Sequence, residues 1–136
     1  MSYPLLLFLH IFFLLITNIF AQRTSEWKRL TSPTNEVLRK LFFVDPNNGW
    51  ASGLAGTIIH TSNGGNSWIL QNSTVTTPVV DIFFINKNRG WTLTYPEVPP
   101  FGTTILKTTN GGLDWIDDST FFENEIMSSI FFFDEF

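Results

Sequence analysis

Imidazoles, thiols and converging carboxylates build most catalytic and metal sites, and this sequence is short of all three. It has no Cys and only two His, of which His10 lies in an apolar leader and His60 stands alone. Disulfides, thiolate zinc, iron–sulfur ligation and thiol nucleophiles are therefore absent, and no His cluster or triad can form. Among the twelve Asp and Glu, only Asp45 and Asp81 flank apolar strand-like runs, whereas a glycosidase needs two carboxyls converging on one bond. Asp45 also aligns with Asn86, which suits a turn. The four Arg form no recognisable constellation. No catalytic residue, metal ligand or cofactor site is expected. A net charge of −4 with scattered Lys and Arg also excludes the basic footprint of a nucleic-acid binder.

The residues that do recur at fixed spacing are aromatic. LFFVDPNNGWASG at 41–53 aligns with IFFINKNRGWTLT at 82–94, and IFFFDEF at 130–136 begins the pattern again. TSNGGNSW at 61–68 matches TTNGGLDW at 108–115. Trp27, Trp68 and Trp115 form one equivalent set, and Trp50 and Trp91 another. A period of this length marks a repeat architecture, so the elements follow from the repeat.

Each unit reads as four short strands. Residues 37–45 and 79–86 are first strands, apolar enough for burial on both faces. Asn-Asn-Gly at 47–49 and Asn-Arg-Gly at 88–90 turn into second strands that begin at Trp50 and Trp91. Third strands fall at 57–62 and 103–109, and Asn-Gly-Gly turns lead to fourth strands at 67–71 and 114–116. Repeated four-stranded antiparallel units are propeller blades. The reading is an all-β, partial β-propeller: two four-stranded blades plus a leading and a trailing strand.

Residues 1–21 read as a cleaved signal peptide: sixteen of the twenty-one are apolar, none is charged, and Ala21 suits the last position before the cut. The chain is thus expected to be exported to a periplasmic, extracellular or other extracytoplasmic compartment, with no stable membrane span after cleavage. Residues 22–36 form a closing strand and link, 37–71 the first blade and 72–116 the second. Residues 117–136 form a link and the first strand of a truncated third blade. With a fourth strand at 26–30 and a lone first strand at 130–136, the chain reads as a fragment of a longer propeller, or as a short form whose copies associate.

Thr61, Asn63, Gly65, Ser67 and Trp68, and again Thr108, Asn110, Gly112 and Trp115, resemble the Asp-box (BNR-type) hairpin. The whole unit resembles the photosystem II stability/assembly factor-like propellers. The resemblance implies a structural role for the box. Asn63 and Asn110 stand where the family has Asp and are expected to accept backbone N–H groups two residues on, and the Trp lids the hairpin. Asp114 stands where Ser or Thr is preferred, so the second hairpin is expected to be looser. Trp50 and Trp91 are expected between blades, and His60, at the Lys107 position, on the surface.

The two copies differ most between their second and third strands, where the second carries six extra residues within TYPEVPPFG at 94–102. This loop shares a rim with the link between blades, giving a candidate partner surface of Tyr95, Glu97, Phe101, Asp117, Asp118, Phe121 and Glu123. The link before the first blade carries Lys28, Arg29, Arg39 and Lys40 instead, so charge is segregated. By resemblance, the chain is a non-catalytic scaffold with a protein partner, either a membrane-complex subunit or its own missing blades. The alternative is a glycan-binding or glycan-processing Asp-box propeller with Trp50 or Tyr95 as a sugar platform, although the arginine triad of sialidases has no counterpart.

Overall fold

A computed structural model describes residues 28–118 and 122–133. The expected leader and Trp27 lie outside the described residues, as do Phe121 and the last three positions. Two antiparallel sheets follow the repeat. The first runs β1 (Leu38–Phe43), β2 (Gly49–Gly53), β3 (Ile58–Thr61) and β4 (Ile69–Gln71), in that spatial order. The second runs β5 (Val79–Phe84), β6 (Gly90–Thr94), β7 (Gly102–Thr108) and β8 (Ile116–Asp117). A short β9 (Phe122–Glu123), which the sequence did not suggest, pairs with the start of β7. The described residues contain no helix.

The copies match down to their irregularities. In each first strand the register shifts at one place, between Leu38 and Lys40 and between Val79 and Asp81. The β1–β2 and β5–β6 turns are closed from within by a side chain: Asp45 Oδ1 accepts the N–H of Asn47 and Asn48 at 2.7 and 2.8 Å, and Asn86 Oδ1 accepts those of Asn88 and Arg89 at 2.9 Å. These bonds and the Asn48 side chain hold the Asp45 carboxyl below its ordinary pKa, with the Asn48 side chain contributing most. The turn glycines serve space rather than dihedral freedom. A Cβ on Gly49 would stand 2.6 Å from the Phe43 ring, and one on Gly90 2.5 Å from Phe84.

The core lies between the two sheets, where β1 and β2 pack on β5. Trp50, Ile58, Val79, Ile82, Phe84, Leu106 and Trp115 are its buried members. At about 1.5 to 3 kcal/mol per large side chain, this shared layer is the main term holding the blades together. Burial of the first strands differs between copies. β5 is largely enclosed, as its apolar run suggests, but β1 is mostly exposed because blade one covers β5 and no described element covers β1.

The described parts of the expected flanking strands have no ladder. Residues 28–37 and 124–133 carry no strand assignment, since no described strand pairs with them. Residues 130–133 nevertheless pack where a third blade's inner strand would. Phe131 meets Phe83 at 5.1 Å between ring centroids, against 5.2 Å for Phe83 and Phe42.

Candidate functional site

Each box hairpin is a closed polar circuit built around a buried hydroxyl. Thr61 Oγ1 donates to Asn63 Oδ1 at 2.9 Å and accepts the N–H of Gly65 at 2.9 Å and of Asn63 at 3.3 Å. Asn63 spans the turn, its Oδ1 accepting Ser67 N–H at 2.9 Å and its Nδ2 donating to Ser67 Oγ at 2.8 Å. The bond therefore reaches four residues on, and the shorter span expected from sequence belongs to threonine. Thr108, Asn110, Gly112 and Asp114 repeat the circuit, with Asp114 Oδ2 accepting from Asn110 Nδ2 at 2.8 Å. The second hairpin is thus not looser, because a carboxylate accepts that bond as well as a hydroxyl does. Gly65 and Gly112 hold φ of 86° and 88°, which disfavour any side chain. Thr61→Val keeps shape and removes every bond to Oγ1, so urea denaturation should show a loss of about 1 to 3 kcal/mol.

Tryptophan joins box to box. The Trp50 indole lies flat on Phe84 at 3.5 Å and 10°, with His60 on its other face at 4.7 Å. Its Nε1 donates to the carbonyl of Gly111 at 3.0 Å, and Gln71 Nε2 donates to the same oxygen at 2.8 Å. Trp91 repeats the stack on Phe132 at 4.3 Å. Both Trp therefore sit between structural layers, as the repeat implies. Trp68 and Trp115 stand edge-on to Phe43 and Phe84 at 6.0 and 5.9 Å.

His60 is not the surface residue expected from sequence: it is half-buried against Trp50, because a flat ring gains more from stacking than from hydration. Burial pushes its pKa down. The unfolded chain then binds more protons just below about 6.5, so stability is full above that pH and falls as pH drops toward the folded value. Thermal melts from pH 7.5 to 5 should show this loss, and His60→Gln should flatten it.

The expected partner surface assembles in part. The loop at 95–101 and residues 122–124 of the link come together, since β9 pairs with Gly102 and Thr103 and the Phe101 carbonyl accepts Asn124 N–H at 3.1 Å. Phe101 is exposed, Tyr95 is half-buried, Asp117 and Asp118 are exposed, and the Glu123 backbone lies in β9. Glu97 reaches back to Arg39 of the first blade at 3.7 Å, so the segregated charges meet across the rim. Sequence reading missed Thr103, whose hydroxyl donates to the Glu125 carbonyl and accepts Met127 N–H, at 2.8 and 2.9 Å. At the offset that aligns His60 with Lys107, Thr103 falls opposite Gly56, so the repeat carried no signal for it.

No group of three or more metal-ligating side chains occurs among the described residues, and no described helix is long and apolar enough to cross a membrane. Trp50 is fully buried, so it offers no sugar platform.

Residues 19–117 match the family model described as photosynthesis system II assembly factor YCF48. The chain belongs to that family. It is 30% identical over 101 residues to the photosystem II stability/assembly factor HCF136 of Oryza sativa, covering 67% of this chain and 23% of the relative. The HCF136 of Guillardia theta is 38% identical over 48 residues, covering 34% and 12%. Among solved structures, a YCF48 bound to a D1 peptide superposes with a TM-score of 0.58 at 25% identity, over 71% of this chain and 30% of that one. YCF48 from Cyanidioschyzon merolae gives 0.55 at 26%, over 67% and 29%. This member of the YCF48 family is thus a partial β-propeller, spanning under a quarter of those two curated relatives and under a third of those structures.

Proposed function

We propose that this chain is a non-catalytic, extracytoplasmic scaffold that holds a polypeptide segment of a membrane-complex subunit during assembly. The observation that carries this reading is a propeller of the same family with a D1 peptide bound. The internal chemistry supports it. Asp45 is committed to closing a turn and Asp81 to joining two blades, so neither stands free for acid or base work. The rim formed by Tyr95, Glu97, Phe101, Asp117, Asp118 and the backbone at Glu123 is the proposed contact, and Phe121, outside the described residues, is proposed with it from sequence alone. It offers aromatic area bordered by acids, and proline-stiffened loops lose little entropy on binding.

The test is fluorescence anisotropy of the chain against overlapping labelled peptides spanning D1. At least one peptide should bind, and the double substitution Glu97→Ala with Phe101→Ala should weaken it by about tenfold. If every peptide fails while a glycan array retains the chain through Tyr95, the scaffold reading falls and the glycan reading replaces it.

A further inference from the structure

The link from blade one to blade two holds a residue that the fold alone would not choose. Three described residues other than glycine have a positive φ, Ala55, Thr74 and Asn124, and Thr74, at 66°, is the β-branched one. A branched Cβ in the left-handed region crowds its own backbone, so Gly or Asn is the usual occupant. The threonine side chain does little for the fold in return. It is exposed, and its hydroxyl donates to the carbonyl of the preceding Ser73, with no other bond among the described residues. Strain kept without an internal use points outward.

What the threonine completes is Asn72-Ser73-Thr74, the single Asn-x-Ser/Thr triplet in the chain. N-glycosyl transfer reads the amide at the first position and the hydroxyl at the third, on a surface loop. The link presents both. Asn72 is exposed, its Oδ1 accepts the N–H of Thr74 at 3.1 Å, and its Nδ2 makes no hydrogen bond among the described residues. Ser73 between them is buried, and its hydroxyl meets the carbonyl and N–H of Val75 at 3.2 and 3.4 Å, so the middle residue anchors the loop while its neighbours face solvent. Closing the turn takes an oxygen at position 72 and no hydroxyl at 74, so the fold accounts for neither the amide nor the threonine. The link follows the outermost strand β4 and joins two described blades, so its exposure does not depend on where the chain begins or stops.

We propose that Asn72 is the acceptor of an N-linked glycan, a reading that rests on the extracytoplasmic placement in the proposed function. The donor class is a lipid-linked oligosaccharide. Asn72 Nδ2 bonds to the anomeric carbon of its first sugar, the bond from that carbon to the diphosphate oxygen breaks, the lipid diphosphate leaves with the electron pair, and the amide gives up one proton.

Translation of the full chain with endoplasmic-reticulum microsomes tests this. The protease-protected product should lose the mass of one glycan under an amidase that releases N-linked chains, and Asn72→Asp, which keeps the turn oxygen, should abolish the shift. A protected but unmodified chain overturns the proposal. A chain left outside the vesicles refutes the extracytoplasmic placement, and the same chain with residues 1–21 replaced by an established secretory leader then decides the acceptor. Thr74→Gly, which relieves the backbone, should abolish modification without lowering the melting temperature of unglycosylated protein. A fall in that temperature would assign the threonine to the fold and overturn the proposal.

Discussion

Trp50→Ala should destabilise the paired blades by about 3 to 5 kcal/mol, the largest single effect expected in this chain. Trp50 is fully buried, and three separate contacts meet on its indole: Phe84 on one face, His60 on the other and the Gly111 carbonyl at Nε1. Alanine leaves a cavity between sheets that are tied to each other by few backbone bonds, so the gap cannot be filled by a small shift. Urea unfolding followed by far-ultraviolet circular dichroism measures it, and a loss below about 1 kcal/mol would mean that the sheets stand without this contact. Trp50→Phe, which keeps a flat ring but loses the donor, should recover much of the loss and so separate stacking from the hydrogen bond.

The second large effect belongs to Asp81. Its side chain is 2% exposed, yet it receives Lys40 Nζ at 2.8 Å and the N–H groups of Ile130 at 2.9 Å and Ile82 at 3.0 Å. Burial alone would raise its pKa. The bonds from Lys40, Ile130, Ser129 and Ile82 outweigh burial and hold it below the ordinary carboxylate value. A carboxyl depressed in this way contributes stability that is fully present above its unfolded pKa, about 3.9, and is lost as pH falls through the lower folded value. Asp81→Ala should cost about 3 kcal/mol, tempered because Lys40 can turn toward water. It should also free the segment at 130–133. Hydrogen exchange at Ile130 should accelerate in Asp81→Ala before global stability is lost, and unchanged protection there would refute the anchoring role.

The repeat made the fold legible because each blade is a local unit whose aromatic, glycine and asparagine positions recur with their spacing. Both box hairpins and the Trp50 and Trp91 layers were readable for that reason. His60 was not. Alignment with Lys107 suggested a surface position, but a flat ring and a flexible ammonium use the same site differently: His60 stacks on Trp50, whereas the Lys107 Nζ stands 5.9 Å over Trp91. Asp81 was noticed only as an acid beside an apolar strand, and its anchoring role was not legible. Its role depends on residues 41 positions before it and 49 after it, and no local pattern encodes such a meeting. The rim was legible as a shared edge, but its β9 ladder arises only when residues 122–123 return to β7, and the Arg39–Glu97 pair only when blade one meets the loop of blade two.

Phe42, Phe83 and Phe131 stand at nearly equal intervals, and Trp50 and Trp91 each cap the phenylalanine of the layer that follows. The contact between neighbours is therefore written inside a single repeat, one half on its first strand and the other on its second. A gene that duplicates one such unit inherits a working joint at both ends without a compensating mutation. Lineages could thus lengthen or shorten the array by unequal crossing-over, and selection would act mainly on residues outside the joint, such as the six-residue insertion at the rim of the second blade.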